Sequence, residues 1–309
     1  MNAKQFSALA ENFAMQSATE CGVATKRFRI VRATHLGMCF GVRDAIALAR
    51  QSAAERPLTI FGELVHNPAV LEELRKRGIQ FKNDPAEIRT EQVMITAHGA
   101  SENTIQRLRN EGFEVRQATC PLVHVAHDAV RQLVGEGFFP VIIGKRDHVE
   151  VRGLTGDLGE FAVVLSEADI DALPEKSKFG VAAQTTQPID KVRRLVGYLR
   201  SRFPQAQVRF ADTVCQPTKL RQTAALELAR HVDAVVVVGG SNSNNTRELV
   251  ETCRRHCARV FHVQGPDELS PDWFTAAENV GLTAGTSTPD QLIDSVERRL
   301  EELSSEAGN

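Results

Sequence analysis

Residues 28–49 read FRIVRATHLGMCFGVRDAIALA, residues 113–130 read FEVRQATCPLVHVAHDAV, and residues 208–229 read VRFADTVCQPTKLRQTAALELA. Each stretch is an apolar strand pattern, a cysteine, and then a helical pattern, so Cys39, Cys120 and Cys215 hold one position in three copies of a unit. The copies stay in register downstream. A second strand ends in polar residues in LTIFGELVHN (58–67), PVIIGKRDHVE (140–150) and AVVVVGGSNSNN (234–245). His66, His148 and Ser243 follow their cysteines by 27, 28 and 28 residues. A third strand with a polar tip closes each copy, in VMITAHGAS (93–101), VAAQTTQP (181–188) and VGLTAGTSTP (280–289).

Strands alternating with helices predict an α/β fold with parallel sheets covered by helices. The runs IVRA, PVIIG and VVVVG lack polar alternation, as expected where both faces of a sheet are buried. Helix starts are marked by Ser101, Pro188 and the pair Thr288–Pro289, and Gly112 marks a stop. A length of 309 residues suggests about two domains, but the repeat argues for three small lobes. The expected boundaries are 28–112, 113–206 and 207–303, with an N-terminal extension over 1–27, partly helical from Gln5 to Met15, and a tail over 304–309. Ligands of parallel α/β sheets bind beyond the carboxyl ends of the strands. Three lobes packed about a pseudo-threefold axis with those ends inward would therefore bring Cys39, Cys120 and Cys215 together, ringed by His66, His98, His148, Thr185, Ser243 and Ser287.

The chain is 42% hydrophobic and 25% charged, with no apolar run long enough to span a bilayer, so a soluble protein with no membrane partner is expected. A net charge of −2 gives no general attraction to nucleic acid, and an anionic ligand would have to be held by local groups. Six cysteines without a recognisable secretory leader point to a reducing, cytoplasmic setting and to free thiols or metal ligands rather than disulfides.

A thiolate at a helix start gains from unpaired amide groups and from the helix dipole, which predicts a lowered thiol pKa at all three repeat cysteines. Separations of 81 and 95 residues exclude local zinc-finger or ferredoxin spacings, so a shared metal centre would be assembled by tertiary structure. Three thiolates suit a cubane cluster with one open iron, and packing of three small apolar residues is the plainer alternative. Cys253 and Cys257 share a helical stripe with Leu249 and read as core, while Cys21 lies in the extension. Glu150, two residues after His148, reads either as a proton donor with a raised pKa or as a solvated loop carboxylate. The segment GGSNSNN suits either a phosphate or helix capping.

At these residues the chain resembles the LytB, or IspH, family of 4-hydroxy-3-methylbut-2-enyl diphosphate reductases of the non-mevalonate isoprenoid pathway. The resemblance runs from about residue 28 to 303 and is carried by GMCFGVRDAI, ELVHNPAV, ITAHGAS, ATCPLV, DHVEVRG, AAQTT, TVCQPTKLRQ, GGSNSNN and TAGTSTPD, in that order. It implies one 4Fe-4S cluster on Cys39, Cys120 and Cys215, with an open iron for the substrate hydroxyl. It also implies a diphosphate grip by His66, His98, Ser243, Asn244, Asn245 and Ser287. His148 and Thr185 would line the pocket, Glu150 would supply a proton, and ferredoxin or flavodoxin would supply electrons. The chain departs from the family pattern at Val149, where a proline is usual, at Asn244, and at Gly37–Met38 before the first cysteine. A repurposed iron-sulfur protein on the same scaffold and a zinc protein with a Cys₃-plus-His site stand as the other readings.

Overall fold

A computed structural model describes residues 27–306. Cys21 and the stretch from Gln5 to Met15 lie outside the described residues. In chain order the elements are β1 (Arg29–Arg32), α1 (Phe40–Glu55), β2 (Leu58–Phe61), α2 (Pro68–Lys76), β3 (Gln80–Lys82), β4 (Gln92–Ile95), α3 (Glu102–Asn110) and β5 (Glu114–Gln117). They continue with α4 (Pro121–Gly135), β6 (Phe139–Ile143), α5 (Val149–Thr155), β7 (Ala162–Val164), α6 (Glu167–Asp171), β8 (Lys178–Ala183), α7 (Ile189–Arg202) and β9 (Gln207–Phe210). The last part holds α8 (Gln216–Ala229), β10 (Ala234–Val238), α9 (Asn244–Arg254), β11 (Val260–Val263), β12 (Asn279–Ala284) and α10 (Asp290–Glu306).

Three four-stranded parallel sheets result, with orders β3-β2-β4-β5, β7-β6-β8-β9 and β11-β10-β12-β1. The three topologies are the same, as the repeat requires. The division of the chain differs from the expected boundaries by one strand. The strand before each cysteine closes the preceding sheet: β5 pairs with β4, β9 with β8, and β1 returns to pair with β12. A cysteine therefore leaves one lobe at the carboxyl end of an edge strand, and the helix it begins leads into the next. Sequence pattern marks a strand but not the sheet that it joins, which is why the junctions sit later than 112 and 206.

Each sheet is covered on both faces. In β10 every residue is buried; Val236 and Val238 pack with Leu282, Val296 and Leu300, while Val235 and Val237 pack with Ala225 and Leu249 on the other side. This two-sided burial is what an unalternating valine run specifies, and each buried valine contributes about 1.5–3 kcal/mol. Cys253 and Cys257 belong to the second of these clusters, as the helical stripe indicated.

The expected tail begins inside a helix, since α10 runs on to Glu306. Ser304 lies on its buried face beside Leu300 and Leu303, and its hydroxyl accepts from the Phe28 N–H at 3.0 Å and donates to the Phe28 carbonyl at 2.7 Å. This bridge anchors the start of β1 to the last helix. Ser304→Ala leaves two buried backbone groups without partners, and a loss of about 2 kcal/mol is expected in denaturant unfolding. A change below about 0.5 kcal/mol would show that water reaches both groups.

Candidate active site

Cys39, Cys120 and Cys215 are the residues immediately before α1, α4 and α8, and none of their side chains caps its own helix. Each is pinned in the same way. The Cys39 N–H donates to the Thr286 carbonyl, the Cys120 N–H to Ala97 and the Cys215 N–H to Thr185, all at 3.0 Å. Those three carbonyls lie two residues beyond β12, β4 and β8, so the repeat places each thiol over the carboxyl end of a central strand. All three thiols are free and half-buried.

The lobes converge there. A methyl group built on Gly41, in the first turn of α1, would stand 2.4 Å from the Cys120 sulfur. Ser287 donates its hydroxyl to the His66 carbonyl at 3.1 Å, and Gly240 lies so close to that carbonyl that a Cβ would approach it to 2.6 Å. The Asn244 amide donates to the Thr186 hydroxyl at 3.2 Å, joining the third lobe to the second.

Burial overrides the helix-start effect expected for two of the thiols. It raises the Cys120 pKa and pushes Cys215 up to about 11, the latter despite the bonds that its sulfur makes to Thr218. The helix starts alone therefore do not hold these two sulfurs as thiolates; a bound metal centre would, by replacing the protons outright.

Two of the three imidazoles are kept neutral. His66 and His98 stack with centroids 4.3 Å apart, and the His148 ring meets them edge-on at 5.2 and 5.5 Å. Burial, then His66 and His148, hold His98 well below the ordinary histidine pKa; burial, then His66 and nearby Arg247, Lys145 and Arg152, bring His148 to about 3. One nitrogen from each ring lies within 4.8 Å of the other two, a spacing that a single metal ion could use. The tautomer of His148 works against that use. His148 Nδ1 accepts the Glu150 N–H at 3.2 Å, so the neutral ring carries its proton on Nε2 and offers a donor rather than a lone pair. His66 Nδ1 faces the Glu63 carboxylate at 3.0 Å. His98 Nδ1 and Asn245 Nδ2 are buried without a partner, two unsatisfied polar atoms that a ligand would satisfy.

Ser243 caps α9 by accepting the Thr246 N–H at 3.3 Å, and the Asn245 side-chain oxygen accepts the Thr286 N–H at 2.9 Å. Asn244 is turned to Thr186, so its amide is already committed. The capping reading of GGSNSNN is what the structure shows, and the Asn245 amide is left without a partner at the helix start.

Glu150 is no solvated loop carboxylate. It lies in the first turn of α5, 1% exposed, and Oε1 accepts the Thr185 N–H at 2.6 Å. Burial raises its pKa to about 7 against the lowering effect of the Thr185 bonds. Val149 occupies the first helical position, where a proline would equally fit, and α5 forms without it. Gly37 adopts φ +73°, and a side chain there would meet Ile293 at 2.6 Å, so this position before the first cysteine needs glycine. Reading the sequence for function passed over Gly41 and Arg221. The motif TVCQPTKLRQ contains Arg221, but nothing in the pattern separates it from surface arginines.

The chemistry of the donor set fits a cluster better than a single ion. Among the described residues, the His66–His98–His148 set is the one group of three or more His, Cys, Asp or Glu whose donor atoms lie within 4.8 Å of one another. The three sulfurs, of which Cys39 is close enough to act on the charge of Cys120 and of Cys215, are therefore spread more widely than one zinc with bonds of about 2.3 Å would draw them.

The fold and the site define a three-lobed α/β protein whose repeated cysteines converge near a cluster of three histidines and a buried acid. A family model described as LytB protein matches residues 30–301, and the chain belongs to that family. It is 36% identical over 281 residues to the 4-hydroxy-3-methylbut-2-enyl diphosphate reductase of Aquifex aeolicus, with 89% of this chain and 96% of the relative covered. The protein of the same name from Geobacter metallireducens is 36% identical over 278 residues, covering 89% and 98%. Among solved structures, the E-1-hydroxy-2-methyl-but-2-enyl-4-diphosphate reductase from Plasmodium falciparum superposes with a TM-score of 0.83 at 26% identity, covering 88% of this chain and 87% of its own. A second, described as the terminal enzyme of the non-mevalonate pathway, superposes with a TM-score of 0.65 at 36% identity, covering 88% and 99%.

Proposed function

We propose that this chain is a 4-hydroxy-3-methylbut-2-enyl diphosphate reductase, which removes the allylic hydroxyl with two electrons and two protons to give isopentenyl or dimethylallyl diphosphate and water. The observation that carries this reading is the buried Glu150, its pKa raised to about 7, close enough to Cys120 and Cys215 to act on their charge and two residues from His148 of the clustered imidazoles. Cys39, Cys120 and Cys215 would hold a 4Fe-4S cluster, which would supply electrons one at a time and Lewis-acid chemistry toward the hydroxyl. Ferredoxin or flavodoxin feeds it, and the reaction runs in the cytoplasm. Among the described residues no helix is long and apolar enough to cross a membrane.

The chain's own residues do the rest. His66, His98, His148, Ser243 and Asn245 bind the diphosphate, Ser287 joins them by turning its hydroxyl from the His66 carbonyl to the ligand, and Asn244 steadies the start of α9 through Thr186. The neutral imidazoles of His98 and His148 avoid charge repulsion before the ligand arrives. They then donate hydrogen bonds to it and can take up protons beside its negative charge. Thr185 holds the Glu150 carboxyl against the reacting end, and Glu150 gives its proton to the departing hydroxyl so that water leaves.

The test is anaerobic: reconstituted protein should contain iron and sulfide in equal amounts, show an EPR change on addition of the allylic diphosphate, and turn over with a reduced low-potential donor. A loaded protein that binds the diphosphate without turnover would support the repurposed iron-sulfur reading. A colourless, zinc-loaded protein would support the third.

A further inference from the structure

Arg221 is the one charged side chain of α8 that the fold buries, with 8% of its surface exposed. Its Nε donates to the Gly37 carbonyl at 2.8 Å and Nη1 donates to the Pro217 carbonyl at 3.1 Å. Gly37 lies two residues before Cys39, and Pro217 two residues after Cys215. The guanidinium therefore clamps the loop of one thiol to the helix of another. Among the described residues no carboxylate lies within 4.0 Å of it, while the other paired arginines of the chain meet their acids at the surface. A buried cation costs several kcal/mol unless an opposite charge compensates it, and backbone carbonyls supply only part of that. Burial works against the charged form, and the sulfurs of Cys39 and Cys215 are the groups that favour it, with Arg43 opposing.

We propose that Arg221 is a positioning residue and built-in counter-ion for the cysteine-bound cluster: it fixes the spacing of Cys39 and Cys215 and sets the cluster's reduction potential by its charge. The inference rests on the cluster proposed above. Three thiolates and an iron-sulfur core carry net negative charge, and reduction adds one more. A fixed positive charge behind two of the ligands stabilises the reduced form and raises the potential. The geometry also accounts for arginine over lysine, because two carbonyls from separate segments are reached by one planar fork.

The experiment compares wild type, Arg221→Lys and Arg221→Gln after anaerobic reconstitution, by iron and sulfide content and by an EPR-monitored redox titration. The expected result is that Arg221→Gln reduces at a more negative potential than wild type while Arg221→Lys stays near it. If Gln loses the cluster and Lys keeps it at a near-wild-type potential, the counter-ion role is also upheld. Equal potentials in all three proteins, or equal loss of iron from both variants, would overturn it and leave Arg221 a structural clamp. Wild type that takes up no iron would instead sink the underlying cluster reading, so the two failures are separable.

Discussion

Glu150→Gln is expected to lower turnover by about 10²- to 10⁴-fold with iron and sulfide content unchanged, the usual span for removal of a positioned general acid. Gln keeps the shape of the side chain and an oxygen to accept the Thr185 N–H, so the packing around α5 survives while the proton is gone. In the parent protein the limb of activity governed by this acid should fall as pH rises through about 7, where the carboxyl loses its proton, and that limb should vanish in the variant. Stability gives an independent readout. Folding raises this pKa from 4.5 to about 7, so the folded state favours the protonated form. The resulting stabilisation is complete below pH 4.5 and is lost as pH rises through 7. The difference corresponds to on the order of 3 kcal/mol, so the Gln variant should unfold at higher denaturant than wild type above pH 8. Wild-type-like turnover in Glu150→Gln would remove this residue from its role, whatever the stability shows.

What the sequence made legible follows from which interactions are local. The valine run of β10, the cap at Ser101 and the break at Gly112 announce themselves within a few residues, and the structure has α3 at Glu102–Asn110 where those signals put it. One strand of each sheet was less visible. Edge strands β3, β7 and β11 are three or four residues long with mixed burial, too short for a period of two to register. Sheet membership was hidden too, because β1 finds β12 across most of the chain and no local pattern encodes that closure.

At the site, repetition marked the cysteines and strand-end histidines because three copies of one turn are distinguishable from chance. It could not give sign or strength. The same helix-start position that argues for a lowered thiol pKa is buried enough to raise it at Cys120 and Cys215, and burial depends on neighbours from other lobes. Arg221 and Gly41 matter through contacts to residues 184 and 79 positions away, and a single sequence carries no sign of either contact.

Gly41→Ala should separate folding from cluster assembly. In a helix alanine is intrinsically favoured over glycine by up to about 1 kcal/mol, so on propensity alone the substitution is harmless or stabilising. The contact is the difficulty: the new Cβ would lie 2.4 Å from the Cys120 sulfur and 3.1 Å from its Cβ. The Cys120 backbone cannot easily retreat, since its N–H is held by the Ala97 carbonyl and its own carbonyl accepts from Val123 and His124 in α4. Rotation of the cysteine side chain is the least costly relief, and it carries the sulfur away from the place shared with Cys39 and Cys215. The metal-free variant should therefore melt within a few degrees of wild type, yet hold less than about a tenth of the roughly four irons per chain that a cubane requires. Cys120→Ser should reach the same iron-free state by removing the soft ligand itself, with a hydroxyl small enough to leave α1 undisturbed. Full iron in Gly41→Ala together with full iron in Cys120→Ser would show that Cys120 is no ligand. Full iron in the first alone would show that the sulfur can approach the centre from a second rotamer, and the close contact with Gly41 would then be packing rather than a requirement of the cluster.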